Sequence, residues 1–265
     1  MILLDPAAHP VIGHRGNRAH APENTLEALQ EAVALGVDAV EFDVQVTADG
    51  HLVLMHDLTL DRTTDGRGAL APRTLAELRE LSASARFRRF HDGADTWRGR
   101  TARIPTFDEV VESLPNTLPL IIELKTPAAT AALEVAIARH GLQDRVIVAG
   151  FEAASTLPMR GGRVALGAST PDVARLLLPA LLRRPVARPW FQAFCIPPVY
   201  RGIPVPIGGL VRGTRAHGVV THIWTVNDER QAERLWAKGV NGMISDDPAR
   251  ILALRDRVFG GAATK

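Results

Sequence analysis

Short apolar runs alternate with helical patterns along almost the whole chain, and this rhythm limits the fold more than any single motif does. Nine strand-like runs can be read: Val11 to Gly13, Val40 to Val44, Leu52 to Asp57, Leu120 to Lys125, Val146 to Val148, Val164 to Leu166, Phe191 to Ile196, Val219 to Val226 and Gly242 to Asp246. Helical patterns lie between them. Asn24 reads as an N-cap with Glu27 three residues on, Leu26, Leu29, Ala32 and Val33 share a face, and Gly36 ends the pattern. Thr106 and Asp228 read as further caps, and Ala128 to His140 and Pro171 to Leu182 as further helices. Such alternation predicts a parallel sheet covered by helices, either open and doubly wound or closed as a (β/α)8 barrel. Polar residues decide between the two. His14, Asp43, His56, Glu123, Lys125, Asn227 and Asp246 sit at or just after the ends of the runs. A barrel gathers its strand ends round one mouth, whereas an open sheet strings them along a line. The expected fold is α/β, a (β/α)8 barrel in which one of the nine runs is a short accessory strand.

Within that frame the stretch Val40-Glu41-Phe42-Asp43-Val44 carries the most chemistry. Val40, Phe42 and Val44 face one way, and Glu41 and Asp43 the other, one pleat apart, a spacing at which both can grip one hard cation. A Thr47-Ala48-Asp49-Gly50 turn signal leads into the next run, which ends in His56 and Asp57. If that turn closes a hairpin pairing 47 with 50, Glu41 sits opposite His56; parallel strands would also bring these polar residues to a strand end. Residues from about 58 to 103 are polar, glycine-bearing and arginine-rich, with one short helical pattern from Thr74 to Leu81. That is too long for a connector and is expected to be a small inserted cap after the third strand, within a single barrel domain spanning 1–265.

A chain of 265 residues buries enough surface to fold without staples. Its one cysteine, Cys195, excludes an internal disulfide, and its apolar neighbours make it a buried small hydrophobe rather than a nucleophile. The first residues lack the charged start and long apolar core of a signal peptide, and charge or proline interrupts every apolar run before membrane-spanning length. A cytoplasmic protein without stable membrane insertion is expected. Net charge is only +2, and the clusters Arg86 to Arg89 and Arg183-Arg184 read as solvated faces, so nucleic acid is not an expected partner.

Glu41, Asp43 and Glu123 offer oxygen ligands for one divalent cation, Mg2+ or Ca2+; zinc has no Cys cluster or HExxH spacing to hold it. His14 and His56 titrate near neutral pH and suit a general acid and base, while Arg15 and Lys125 add fixed positive charge. This set suits phosphoryl chemistry. Glycoside hydrolysis by Glu41 and Glu123 would leave the histidines, Arg15 and Lys125 without a role. There is no GxSxG elbow and no Walker A loop. His91, His140 and His217 have no such company and read as surface or packing residues.

Six words occur in one order: His14-Arg15-Gly16, Ala21-Pro22-Glu23-Asn24-Thr25, Glu41-Phe42-Asp43-Val44, Leu54-Met55-His56-Asp57, Ile122-Glu123-Leu124-Lys125 and Trp224-Thr225-Val226-Asn227. Together they closely resemble the glycerophosphodiester phosphodiesterase family. The resemblance implies a TIM-type barrel that hydrolyses a small-molecule glycerophosphodiester to sn-glycerol 3-phosphate and an alcohol. It implies Glu41, Asp43 and Glu123 as metal ligands, His14 and His56 as the acid–base pair, Arg15 and Lys125 as phosphate contacts, and Glu23 as an acid supporting the first loop. Trp224 is expected to line the pocket. The phosphatidylinositol-specific phospholipase C barrels are related in layout. Which histidine is acid or base, and whether water or the substrate's own 2-hydroxyl attacks, stays open.

Three stretches depart from the family pattern: Asn17-Arg18-Ala19-His20 after Gly16, Ser245-Asp246-Asp247-Pro248 with an acidic third residue, and the Pro197-Pro198 loop. They bear on alcohol preference. One alternative is phospholipase D-like hydrolysis of lysophospholipids, with Trp97, Phe87 and Phe90 supplying an apolar groove at the cap. Another is a catalytically silent barrel that binds phosphodiesters.

Overall fold

The computed structural model describes residues 1–260. Its strands are β1 (Val11–His14), β2 (Ala39–Val46), β3 (Leu52–Leu54), β4 (Leu120–Leu124), β5 (Val146–Gly150), β6 (Ala165–Leu166), β7 (Ala193–Ile196), β8 (Val199–Tyr200), β9 (Ile203–Pro204), β10 (Val220–Ile223) and β11 (Gly242–Ser245). Eight run parallel in the order β6-β5-β4-β2-β1-β11-β10-β7. The two ends of this series meet through a parallel bridge from Gly167 to Ala193, supported by Gln192 N–H donating to the Leu166 carbonyl at 2.9 Å. The chain therefore forms the expected barrel. The ninth run is β3, which pairs antiparallel with the far end of β2 and stays outside the ring. Strands β8 and β9 form a separate two-stranded ribbon on the loop after β7.

Alternation along each strand sorts the side chains. Val40, Phe42 and Val44 face outward into the layer between sheet and helices, with Leu120, Ile122 and Leu124 beside them. Inward-facing Ile12, Ala39, Ile121, Ile147, Ala193, Val220 and Ile244 fill the barrel, and Leu3 closes its lower end. Helices α1 (Leu26–Ala34), α2 (Leu75–Arg79), α3 (Phe107–Ser113), α4 (Thr130–Arg139), α5 (Ala153–Thr156), α6 (Thr170–Leu181), α7 (Ile207–Thr214), α8 (Glu229–Trp236) and α9 (Pro248–Phe259) lie outside the strands or on their connections. Thr106 and Asp228 cap α3 and α8 as expected, and Thr74 caps α2 with a reciprocal bond from Glu77. Among the described residues no helix is long and apolar enough to cross a membrane.

Two local expectations are corrected. Thr25, not Asn24, is the N-cap of α1, and its side chain accepts from Ala28 N–H; Asn24 adopts φ +58° and turns its amide towards β2. The β2–β3 hairpin pairs Val44 with Leu54, so Thr47 meets His51 and Asp43 meets Met55. Gly50 at φ +85° takes the left-handed position that adds a residue to the loop and shifts the register by one. Between β3 and α3 the long excursion has a small core of its own, in which Val53, Met55, Leu60, Leu70, Leu78, Ala83 and Ile104 are buried together. A second cluster, Trp97 and Ala102 against Ala21 and Ala28, seats it on the first loop and α1.

Candidate active site

Strand register assembles the centre. In the parallel pairs His14 lies beside Glu41, and Asp43 beside Glu123. Carboxylate oxygens of Glu41, Asp43 and Glu123 lie within 4.8 Å of one another. Arg15, at φ +51° directly after β1, donates its backbone N–H to Glu41 Oε2 at 3.0 Å and lays its side chain against Asp43, Nε to Oδ2 3.0 Å. Lys125 Nζ donates to Glu123 Oε1 at 2.5 Å and lies 3.4 Å from Asp43 Oδ1. Asn24 Nδ2 donates to Asp43 Oδ2 at 2.9 Å, and Asp43 N–H donates back to Asn24 Oδ1 at 3.2 Å.

Burial and like charge dominate the electrostatics. Burial, then the neighbouring Asp43 and Glu123 carboxylates, push the Glu41 carboxyl well above the usual range. Glu123 is raised by burial and Asp43 against the pull of Lys125. Asp43 moves the other way: the charges of Arg15, Lys125 and His56 and the Asn24 hydrogen bond outweigh its burial. Two buried acids and a third partly buried one, with only two cations beside them, are short of positive charge, which is the donor set and balance a hard divalent cation fits.

Two imidazoles face this cluster, each anchored by its own carboxylate. His14 Nδ1 lies 2.6 Å from Asp246 Oδ1, and its Nε2 points to Glu41 Oε2 at 4.0 Å. His56 Nδ1 lies 2.5 Å from Asp57 Oδ1. Burial lowers the pKa of both histidines, only partly offset by Asp246 for the first and Asp43 for the second. Asp57 accepts from Arg62 Nε at 2.5 Å, and Arg62 also pairs with Glu23, Nη2 to Oε1 2.6 Å. Glu23 is held further by Arg15 Nη1 at 2.8 Å and Arg18 Nε at 2.9 Å. Against its burial, the Arg62 hydrogen bonds and the charges of Arg15, Arg18 and Arg62 keep Glu23 far below the usual carboxylate range. Glu23 thus fixes Arg15 without facing the pocket. Trp224 donates its indole N–H to the Cys195 carbonyl at 3.0 Å and, with His14, Arg15, His56, Phe151 and Ile244, walls the pocket. Burial first, then Glu41 and Glu123, raise the Cys195 thiol, so it offers no thiolate.

The family model described as the glycerophosphoryl diester phosphodiesterase family matches residues 14–250. A glycerophosphodiester phosphodiesterase of Caldanaerobacter subterraneus subsp. tengcongensis is 34% identical over 255 residues, 92% of this chain and 96% of that protein. The solved structure of an Oleispira antarctica phosphodiesterase in complex with the product sn-glycerol-3-phosphate is 28% identical, with a TM-score of 0.76 over 93% of this chain and 96% of that one. A glycerophosphoryl diester phosphodiesterase domain from Mycobacterium tuberculosis shares the fold, at 22% identity and a TM-score of 0.80 over 94% of this chain and 99% of that one. The chain belongs to the glycerophosphoryl diester phosphodiesterase family.

All nine residues singled out from the sequence, His14, Arg15, Glu23, Glu41, Asp43, His56, Glu123, Lys125 and Trp224, meet in this family member within one connected set of contacts. Sequence reasoning gave no role to Asp246, although the strand-end pattern marks it, nor to Arg62, and it read Asn24 as a helix cap rather than as the partner of Asp43. At the cap, Phe87 and Phe90 do line a cavity of about 230 Å³, but Arg18, Glu23, Arg62 and Arg86 share it and make it a charged cleft rather than an apolar groove, and Trp97, only 4% exposed, packs edge-on against Phe87. Instead a cavity of about 220 Å³ opens from the other flank of the pocket. Phe151, Val173, Leu177, Tyr200, Ile203 and Val205 line it, and it shares Glu123, Ala149, Phe151 and Cys195 with the polar pocket.

Proposed function

We propose that this chain hydrolyses glycerophosphodiesters to sn-glycerol 3-phosphate and an alcohol, in a reaction that depends on a divalent metal. The observation that carries the proposal is the convergence of three clustered carboxylates and two carboxylate-anchored imidazoles at one pocket. Glu41, Asp43 and Glu123 would hold one Mg2+ or Ca2+ ion, which supplies positive charge to the phosphate's non-bridging oxygens. Arg15 and Lys125 bind the same oxygens, and Glu23 keeps the Arg15 guanidinium from swinging away. One neutral histidine takes the proton of the attacking oxygen as its bond to phosphorus forms. The other, in its protonated form, gives a proton to the alkoxide as the phosphorus–oxygen bond breaks and is left neutral. Asp246 and Asp57 orient the two rings, and Trp224 helps wall the pocket. Residues 58–103 form the cap that carries Arg62 to the site, and a cytoplasmic setting agrees with the single free cysteine. The test is release of sn-glycerol 3-phosphate from glycerophosphocholine, with EDTA and then with Mg2+ or Ca2+ added back. Metal-restored product supports the proposal; absence of product at any metal concentration refutes it.

The apolar cavity favours a second substrate class for the same centre, a lysophospholipid whose chain lies along Phe151, Leu177 and Ile203. Side-by-side turnover of glycerophosphocholine and lysophosphatidylcholine separates the two. Failure of both substrates would leave the silent binding barrel.

A further inference from the structure

The sequence departures at His20 and Asp247 meet in space, and a cap histidine joins them. His91 Nε2 lies 2.9 Å from Asp247 Oδ2, His20 Nε2 lies 3.7 Å from Asp247 Oδ1, and one ligand atom from each of the three falls within 4.8 Å of the others. Backbone hydrogen bonds build this meeting point. Ala19 N–H donates to the Asp246 carbonyl at 2.9 Å, and Phe90 N–H donates to the Ala19 carbonyl at 3.0 Å. Each of the three side chains is borne by the residue immediately after a member of that ladder. His91 therefore has company, contrary to the expectation that it is a lone surface residue.

We propose that His20, His91 and Asp247 form a second metal site, distinct from the carboxylate cluster, which takes zinc or a similar imidazole-preferring divalent ion and fastens the cap to the barrel rim. The two donor sets differ in kind. An all-oxygen trio suits Mg2+ or Ca2+, whereas two imidazole nitrogens and one carboxylate oxygen suit Zn2+, with water completing the shell. Bonds of about 2.0–2.2 Å to zinc put ligand atoms roughly 3.4 Å apart in a tetrahedron. The side chains of His20 and His91 are 40% and 47% exposed, so His20 is free to move in and His91 to draw back slightly from its 2.9 Å contact, while Asp247 is 12% exposed with its backbone N–H held by Ser245 Oγ at 3.1 Å. One ligand is fixed and two are adjustable.

The experiment uses the full chain in excess Mg2+, equilibrated with Zn2+ against a chromophoric chelator. The native chain should bind one zinc, and the double variant His20→Asn/His91→Asn should bind it at least about 100-fold more weakly; Asp247→Asn, which removes the third ligand alone, should weaken it as well. Zinc should also slow tryptic cleavage among Arg86, Arg88, Arg89, Arg98 and Arg100 in the native chain and not in the double variant. Neither histidine belongs to the proposed reaction, so Mg2+-supported turnover of the variants should match the native chain whether or not zinc binds. Equal zinc affinity in native and double-variant chains, no zinc bound by the native chain, or zinc that leaves cleavage unchanged would overturn the proposal.

Discussion

Each imidazole at the centre depends on a carboxylate outside the pocket. His14→Ala and His56→Ala should each lower turnover by at least about 10²–10⁴-fold while melting close to the native temperature, because each removes a proposed proton-transfer partner and leaves the barrel core intact. Loss of fold rather than activity in a circular dichroism melt would refute that assignment. Glu41 makes a sharper case. Repelled by Asp43 and Glu123 and stripped of water, it destabilises the ion-free chain, so Glu41→Gln should melt higher than native in chelator, by about 1 kcal/mol or more, and yet be inactive. Differential scanning fluorimetry with and without EDTA measures it, and a lower melting point would contradict the repulsion. Glu41, Asp43 and Glu123 were legible in sequence because strand alternation puts carboxylates where apolar barrel residues belong. Arg62 was not, since nothing local in residues 58–103 shows that its guanidinium bridges Glu23 and Asp57.

Helix caps and strand order were legible for a related reason: a capping box or an apolar run is a local pattern that the tertiary structure had no cause to override. Where the site claimed a residue, the local rule failed. Asn24 has the chemistry of a cap and is spent on Asp43, so Thr25 caps α1 instead. Gly16 shows how tightly the first loop is drawn in. At φ +87° it lies so close to α1 that a Cβ would collide with the Ala28 carbonyl. Gly16→Ala should therefore cost about 3 kcal/mol or more in urea unfolding, against about 1 kcal/mol for Gly36→Ser, which has open space and carries the left-handed backbone penalty alone. On the apolar flank, Leu177→Asp should lower lysophosphatidylcholine turnover at least about tenfold and leave glycerophosphocholine unchanged. Equal effects on both substrates would remove the cavity from acyl recognition.

Across the whole molecule, the barrel is polar at its C-terminal mouth and apolar below, except for one ring. His222 is fully buried beneath the site, where its Nε2 lies 2.9 Å from the Leu3 carbonyl and its Nδ1 has no partner among the described residues. Burial pushes its pKa down to about 4 against the Leu3 hydrogen bond, from an ordinary value of 6.5. Because the folded pKa lies below the unfolded one, the unfolded chain binds the extra proton first. Stability should be full above about pH 6.5 and fall as pH drops towards 4, by on the order of 3 kcal/mol from this group alone. His222→Gln should flatten that part of a pH–stability curve measured by urea unfolding; an unchanged slope would show that other groups set it. Gly242 leaves the space His222 occupies, a fit that spacing alone does not reveal. The seal at Leu3 also governs traffic. With the lower end of the barrel filled by Leu3, Ile12, Ile121, Ile147 and Val220, whatever reaches His14 and His56 arrives and departs on the C-terminal side of the barrel. A lingering glycerol 3-phosphate would block the next diester at that threshold, so the proposed reaction should slow by competition as its own product accumulates.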